Sequence, residues 1–317
     1  MATAFSPTNS VTVTTADKFI PDIWSDEIVA AYKKNLVLAN LVMKMNFKGK
    51  KGDTIHIPAP TRGSASAKAA EAAVTLIAAT ESEVNVSINK HYEYSRLIED
   101  IVEAQALNSL RNFYTSDAGY ALAKQVDTDL VQLGRSTNGG AGTNAYATGA
   151  FIGGDGTTAY VAANNNESAL TDAAIRRTIQ RLDDTDTPMD QRFFLIPPSS
   201  RNTLMGLARY TEQAFVGGTN STIRTGEIGN LYGIPVFVSS NCDTASGSNA
   251  ARVCLMGHRD AVVLVEQVAV RSQVQYKQEY LATLFTSDTL YGVQILRSAA
   301  SVSAAKSASM FALLVPA

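Results

Sequence analysis

The sequence is poor in the residues that build chemical sites. Its only cysteines, Cys242 and Cys254, are too few for a disulfide framework and lack the CxxC spacing of metal or redox sites, so we expect two buried free thiols. Its three histidines, His56, His91 and His258, have no Cys, His or Asp partner at a zinc-ligand or HExxH spacing. We therefore expect structural roles for all three.

The chain also lacks an excess of charge and long apolar runs. Lys and Arg number 27 against 29 Asp and Glu, a formal net charge of -2, which disfavours sequence-specific binding to nucleic acid. No stretch approaches the ~20 apolar residues of a membrane helix, and the N-terminus lacks the basic-then-apolar pattern of a signal peptide. A soluble protein made in a cytoplasm is expected. Apolar residues make up 45% of the chain, ample for one large or two interleaved domains.

Motifs of the common enzyme classes are absent as well. The glycine cluster at 153–156 fits neither GxxxxGK[ST] nor GxGxxG, and Ser199 and Ser200 lack a GxSxG elbow, which leaves helix capping as their expected role. An acidic cluster departs from the calcium-loop pattern at Pro188 and is interpreted as a solvated helix end; its members are Asp183, Asp184, Asp186 and Asp190. The basic residues Lys48, Lys50 and Lys51 are interpreted as soluble surface. We predict no catalytic, cofactor-binding or metal-binding residue, and no enzyme.

The first ninety residues predict extended, outlying parts. Residues 1–24 show no sustained period and are typical of an arm, and a helix is predicted from Trp24 to Leu38. Thr54–Pro58 and Val84–Asn89 read as short strands. The stretch 59–83 between them has few large side chains and is longer than most structureless connections in compact domains. We expect an extended hairpin that adds little to its own subunit's core.

The middle of the chain predicts a long helix followed by a glycine-rich loop. Apolar residues recur close to the 3.6 period from Glu99 to Leu133, which predicts one long helix, and an interruption near Gly119 stays open as the alternative. A helix of this length reaches roughly 50 Å, about the diameter of a compact chain of this size. The sequence therefore favours an elongated molecule built on a spine helix. Residues 134–166 are rich in Gly and Asn and predict an exposed loop.

The next hundred residues predict a compact α/β lobe. Ser168 is the expected cap of a helix that carries Leu170 to Leu182, and Arg192–Ile196 is expected to be a buried strand. A short helix through Leu207, a loop at 217–229 and a strand at Ile234–Val238 follow. The order of helix, strand, helix, loop and strand places this lobe at about residues 168–260.

Two stretches carry a resemblance to a known family. The first reads Tyr232-Gly233-Ile234-Pro235-Val236, a glycine-flanked turn that feeds a short apolar strand. The second ends a later strand pair with Tyr291-Gly292-Val293 and closes on Arg297. Together with the order of the elements, they resemble the major capsid protein of tailed bacteriophages, which has the Hong Kong 97-type fold. That resemblance covers nearly the whole chain and implies an α+β fold.

The resemblance also implies a division of the chain. The expected parts are an N-terminal arm and helix at 1–46, an E-loop hairpin at 47–90, a peripheral domain with the spine helix and Gly-rich loop at 91–167, an axial domain at 168–260, and terminal strands that return to the peripheral domain at 261–317. No long charged helix precedes the arm, which implies a separate scaffolding protein. No lysine, including Lys68 in the proposed E-loop, is assigned a cross-linking role.

The function implied by the resemblance is structural. The chain is expected to self-assemble in the host cytoplasm into pentamers and hexamers that form an icosahedral phage head, a virion component that encloses double-stranded DNA without sequence-specific binding. The implied partners are further copies of the chain, the scaffolding protein, a portal protein and a cement or decoration protein, with no membrane and no cofactor. Two alternatives stay open: the shell protein of a bacterial nanocompartment with the same fold, and a soluble α/β hydrolase or binding protein that uses the 168–260 lobe.

Overall fold

The structure is a computed structural model that describes residues 37–49, 51–60, 65–71, 73–74, 76, 81–100, 109–135, 150–160, 166–207, 229–242, 251–296 and 309–317. Its helices are α1 (Leu38–Leu41), α2 (Ser109–Arg135), α3 (Asp172–Asp184) and α4 (Pro198–Met205). Its strands are β1 (Met43–Asn46), β2 (Thr54–Pro60), β3 (Glu81–Ser87), β4 (Lys90–Glu99), β5 (Phe151–Ile152), β6 (Arg192–Ile196), β7 (Asn230–Leu231), β8 (Ile234–Val238), β9 (Arg252–His258), β10 (Val262–Lys277), β11 (Ala282–Ile295) and β12 (Met310–Val315). The described residues do not include the predicted arm, residues 24–36 of the helix predicted from Trp24 to Leu38, most of the predicted loops, or Arg297.

An elongated four-stranded sheet has the order β1-β10-β11-β4. Its centre is the antiparallel pair β10 and β11, with 16 and 14 residues. The chain reverses between them at Leu281, which has the left-handed φ of 43°. β1 joins β10 in parallel and β4 joins β11 antiparallel along ten residue pairs. Strands of this length extend well beyond the usual five or six residues, so one end of the sheet reaches past the core.

The spine helix, α2, is 27 residues long, or roughly 40 Å. It runs through Gly119 without a break, as the prediction of one continuous helix requires. The prediction that the helix begins at Glu99 is wrong, because Glu99 is the last residue of β4 and pairs with Ala282. Without proline or glycine, the segment around Glu99 can form a helix or a strand. Pairing with β11, which is distant in the sequence, stabilises the strand.

A six-stranded sheet has the order β5-β12-β9-β6-β8-β7. The predicted strands at Arg192–Ile196 and Ile234–Val238 are confirmed as β6 and β8. Each of the five residues of β6 is buried. Helices α3 and α4 pack their apolar residues into the same cluster as this sheet.

Two helix caps differ from the expected ones. Helix α3 is capped by Thr171, not Ser168: the Thr171 Oγ1 accepts a hydrogen bond from the Ala174 N–H and donates one to the Gly154 carbonyl. Helix α4 has Pro197 at its cap position and no side-chain cap. Ser199 and Ser200 are inside α4, since a proline at the first helical position already starts the helix there.

The C-terminal strand joins a different sheet from the two strands before it. β12 lies between β9 and β5 in the six-stranded sheet, with all six residues buried. β10 and β11 are in the four-stranded sheet. Residues 310–315 therefore belong with the lobe predicted at 168–260 by strand pairing, whereas the terminal strands were expected to return together to the peripheral part. The wider division into domains stays a prediction.

The predicted hairpin legs are confirmed. β2 and β3 pair antiparallel from Thr54 with Ser87 to Pro60 with Glu81. The base of this hairpin is anchored, because Val86 and Ile88 are buried with Val263 and Val265 of β10.

Candidate functional site: an outlying hairpin, an open sheet edge and two buried carboxylates

The distal part of the β2–β3 hairpin is exposed. Among its described residues, Val74 and Leu76 are 69% and 88% exposed, although both are large and apolar. Nearer the base, the His56 Nδ1 lies 3.1 Å from Glu83 in a solvent-exposed contact. These two large apolar side chains therefore lie in solvent in the single chain.

The outer edge of β10 is open over its distal half. β1 pairs with β10 from Val263 to Glu266 only. Beyond that point, β10 has β11 on one side, and no strand among the described residues pairs with its other side. Residues 270–276 are all exposed, with Val270 and Val274 each 52% exposed. An unpaired strand edge with apolar side chains is a template for pairing with another chain.

The exposed half of the sheet begins at a break in the β10–β11 register. The pairing shifts between Glu266 and Val268 and again between Val268 and Arg271. At that point the guanidinium of Arg271 donates two hydrogen bonds of 2.8 and 2.9 Å to Asp288 of β11. His91 of β4 contacts the same carboxylate at 3.2 Å. The hydrogen bonds from Arg271, followed by that from His91, lower the pKa of Asp288. Three strands are thus tied together where the sheet leaves the core.

Two buried carboxylates on the spine helix, Asp127 and Asp129, contact different parts of the chain. Asp129 faces the four-stranded sheet, where its Oδ2 accepts a hydrogen bond of 2.7 Å from the Tyr291 hydroxyl and lies 3.0 Å from the Lys90 Nζ. Burial, followed by the hydrogen bond to Asp129, raises the pKa of Tyr291, so its hydroxyl stays a donor. Asp127 faces the other way, toward Leu38 and Asn241. Neither carboxylate could be recognised from the sequence, because both read as ordinary polar positions of an amphipathic helix.

The residues that were weighed as chemical sites lie apart from one another. His56, His91 and His258 are on β2, β4 and β9, and His258 Nδ1 accepts a hydrogen bond from the Asp260 N–H. Within the described ranges, no group of three or more His, Cys, Asp or Glu residues is placed to hold a metal ion. No described helix is both long and apolar enough to cross a membrane.

Ser199, Ser200 and the two cysteines make contacts that belong to the folded core or to helix packing. The Ser199 hydroxyl donates to the Pro316 carbonyl, and Ser200 contacts the Cys254 sulfur at 3.4 Å. Both cysteines are free and buried. Burial raises the pKa of Cys254 to about 12, so this thiol is not a nucleophile at neutral pH.

The acidic cluster, the glycine cluster and the lysines are placed as follows. Asp183 pairs with the buried Arg192 at 2.7 Å, which ties the helix end to β6. Gly153 packs so closely on Ser168 that an added Cβ would lie 2.5 Å from its carbonyl oxygen. Lys48 pairs with Glu266 at 3.9 Å, Lys51 and Lys68 are exposed, and Lys50 lies outside the described residues. These contacts do not join the acidic cluster, the glycine cluster and the described lysines to one another.

An elongated sheet backed by a long helix, a second sheet lobe and an outlying hairpin define the Hong Kong 97-like fold of phage capsid subunits. The sequence profile of the phage capsid family matches residues 17–304, and the chain belongs to this family. It is a structural capsid protein, a class that is generally non-enzymatic, and a component of the virion.

Solved structures share the fold at low sequence identity. A structure from Mycobacterium phage Che8 superposes with a TM-score of 0.72 at 20% identity, over 93% of this chain and 97% of that chain. The capsid structure of the cyanophage P-SCSP1u gives a TM-score of 0.72 at 19% identity, over 99% of both chains. The acidic stable capsid structure of Helicobacter pylori bacteriophage KHP30 gives 0.69 at 12% identity, over 98% of this chain and 100% of that chain. A comparison with curated protein sequences found no match.

Proposed function

We propose that this chain is the major capsid protein of a tailed bacteriophage, which assembles into pentamers and hexamers that form an icosahedral head around double-stranded DNA. The observation that carries the proposal is the open edge of β10 at 270–276, exposed on both faces and bearing Val270 and Val274. A lone subunit leaves the backbone donors and acceptors of that edge without a strand partner.

A strand from a neighbouring copy of the chain can pair with the backbone donors and acceptors of this edge. Adding a strand to it gives affinity through main-chain hydrogen bonds. The β2–β3 hairpin is the part of the chain that extends outward, with exposed Val74 and Leu76 near its end. A contact between the hairpin of one copy and the sheet of the next joins two different surfaces, and such head-to-tail contacts close into rings when the rotation permits. Five- and six-membered rings then tile a closed shell.

The remaining partners follow from the same role. The six-stranded lobe lies toward the centre of each ring, a separate scaffolding protein directs assembly in the host cytoplasm, and the portal and any cement protein contact the finished shell. The net charge of -2 suits a container that encloses DNA without gripping its backbone. No step of this role requires the chain to act as an enzyme.

The test is assembly. The full chain is co-expressed with its cognate scaffolding protein, and the product is examined by size-exclusion chromatography and negative-stain electron microscopy. Closed shells with five- and six-fold clusters are expected. Monodisperse monomer without particles would contradict the proposal, and shells that capture a tagged enzyme rather than DNA would favour the nanocompartment alternative.

A further inference from the structure

Asp127 contacts two parts of the chain that are far apart in sequence. Its side chain is 1% exposed and lies on the spine helix. Its Oδ1 accepts hydrogen bonds from the backbone N–H groups of Leu38 at 2.9 Å and Ala39 at 3.3 Å. Its Oδ2 accepts one of 3.0 Å from the side-chain amide of Asn241. One oxygen of the carboxylate thus contacts the start of α1, and the other contacts Asn241.

The first part is the start of the described fold. Leu38 and Ala39 open the short helix α1, which leads directly into β1. The hydrogen bonds to these two N–H groups therefore fix the start of α1 against the spine helix.

The second part is the end of β8 in the six-stranded sheet. Asn241 is itself fixed there: its N–H donates to the Ser239 hydroxyl, and the Ser239 N–H donates to Ile196 of β6. Its side-chain amide also donates to the Thr128 hydroxyl at 3.2 Å. The backbone of Asn241 is thus fixed in the lobe, while its side-chain amide donates to two neighbouring residues of the spine helix.

Asp127 depends on these donors. Asp127 forms no ion pair with any described residue, whereas Asp129, two residues further on, pairs with Lys90. A buried carboxylate without a cation is stabilised by the N–H groups that reach it, and losing one of them is costly. Because the two oxygens belong to one carboxylate, we expect a displaced Asn241 amide to turn the group and to weaken its hydrogen bonds to Leu38 and Ala39.

We propose that Asp127 is a positioning residue that couples the start of α1, at Leu38 and Ala39, to residues 239–242 of the six-stranded lobe. The consequence for shell assembly rests on the proposed function, whereas the coupling within one chain does not.

The direct test is hydrogen exchange of the Leu38 and Ala39 amides in the purified full-length chain. These amides contact Asp127 and not Asn241, so a change at Asn241 reaches them only through the carboxylate. We expect Asn241→Ala to speed their exchange at least about fivefold, the lower bound for typical coupling between sites. Unchanged exchange in Asn241→Ala would overturn the proposal.

A donor–acceptor exchange gives the second arm. In Asp127→Asn, one oxygen can still accept from Leu38 and Ala39, but the new amide faces the amide of Asn241, donor against donor. The double variant Asp127→Asn with Asn241→Asp reverses the direction of that bond and keeps the same charge. We expect faster exchange in the single variant and recovery in the double variant; failure of the double variant to recover, with the chain folded, would count against the coupling.

The matched control is Asp129→Asn, the same substitution two residues along the same helix. Asp129 is also buried, but its contacts with Tyr291 and Lys90 lie in the four-stranded sheet. In Asp129→Asn, we expect the Leu38 and Ala39 amides to exchange at the rate of the unmodified chain. If they exchange as fast as in Asp127→Asn, the loss of any buried carboxylate loosens these amides, and the effect is not specific to Asp127.

Particle yield separates the two proposals. If the unmodified chain forms shells, we expect Asp127→Asn to lower their yield and the double variant to restore it. If the unmodified chain forms no shells, the proposed function fails, while the exchange measurements still decide the coupling.

Discussion

Gly292 of β11 lies directly against the backbone of Ser87 at the end of β3. A Cβ added at Gly292 would be 2.5 Å from the Ser87 carbonyl oxygen and 3.1 Å from the Ile88 Cα. These neighbours are backbone atoms, which cannot rotate away. Glycine is therefore required here so that the base of the outlying hairpin can lie on the four-stranded sheet, and the Tyr-Gly-Val sequence at 291–293 marks a place of close approach.

We expect Gly292→Ala to lower the free energy of unfolding by roughly 1–3 kcal/mol, because the added methyl group overpacks a closed contact. Urea denaturation followed by circular dichroism measures the change. The matched control is Gly119→Ala on the exposed face of α2, where nothing lies within 4 Å of an added Cβ. That substitution should raise stability by up to about 1 kcal/mol, since alanine is the better helix former. An equal change in the free energy of unfolding for Gly292→Ala and Gly119→Ala would contradict the close contact between Gly292 and the Ser87 backbone.

The Tyr291 hydroxyl is the next test, because it donates to a buried carboxylate. Tyr291→Phe keeps the ring and removes the 2.7 Å hydrogen bond to Asp129. We expect a loss of about 2 kcal/mol, typical of a hydrogen bond to a charged group. Tyr276→Phe is the control, since its hydroxyl donates to Asp100 at 2.8 Å in a solvent-exposed setting. That change should stay within about 0.5 kcal/mol, and a similar loss at both positions would argue against the buried bond.

The pair of Arg271 and Asp288 should make stability depend on acid pH. The hydrogen bonds from Arg271 lower the pKa of Asp288 in the folded chain. A carboxyl with a lowered folded-state pKa stabilises the fold above its unfolded pKa of about 4, and this contribution is lost as pH falls through the folded-state value. The melting temperature of the unmodified chain should therefore exceed that of Arg271→Gln at pH 6, and the gap should narrow below about pH 4.

A second carboxyl does not confuse this comparison. The pKa of Asp155 is also lowered, by hydrogen bonds from Thr158 and Thr157. These contacts are the same in both proteins, so their effect cancels in the difference. A gap that stays constant from pH 6 to pH 3 would exclude the proposed role of Arg271.

The open edge of β10 makes a prediction about assembly rather than stability. Val274→Lys places a charge on the exposed edge, where lysine opposes strand pairing with another chain. We expect fewer particles by electron microscopy and a melting temperature unchanged for the unassembled chain. Met189→Lys is the control, because Met189 is 78% exposed but lies on no strand. Normal assembly of Val274→Lys would show that this edge is not an intersubunit contact.

Several elements could be predicted because their signal is local. The legs of the hairpin alternate apolar and polar residues, and β6 is a continuous apolar run with turn residues on both sides. β8 follows a turn at Tyr232 and Gly233, both of which have positive φ. In each case the residues that decide the structure are next to one another in the chain.

Other elements were misplaced because distant contacts decide them. Glu99 was assigned to a helix but pairs with Ala282. The sequence predicts Ser168 as the cap of α3, yet its hydroxyl packs against Gly154, 2.4 Å from where a Cβ on that glycine would lie, and Thr171 caps the helix instead. The hydrogen-bond partners that select one outcome come from other parts of the fold, so no local pattern contains them.

The sequence by itself determined the class of the protein: few reactive residues, no enzyme motif, outlying segments with little apolar mass, and the order of elements that the phage capsid family shares. Only the tertiary structure decided that β12 closes the six-stranded sheet, that Gly292 receives the hairpin base, and that Asp127 and Asp129 face opposite parts of the chain. The physical reason is the separation along the chain of the residues that interact. Composition and periodicity act between neighbours along the chain, whereas buried hydrogen bonds and close backbone contacts join residues that meet only after folding.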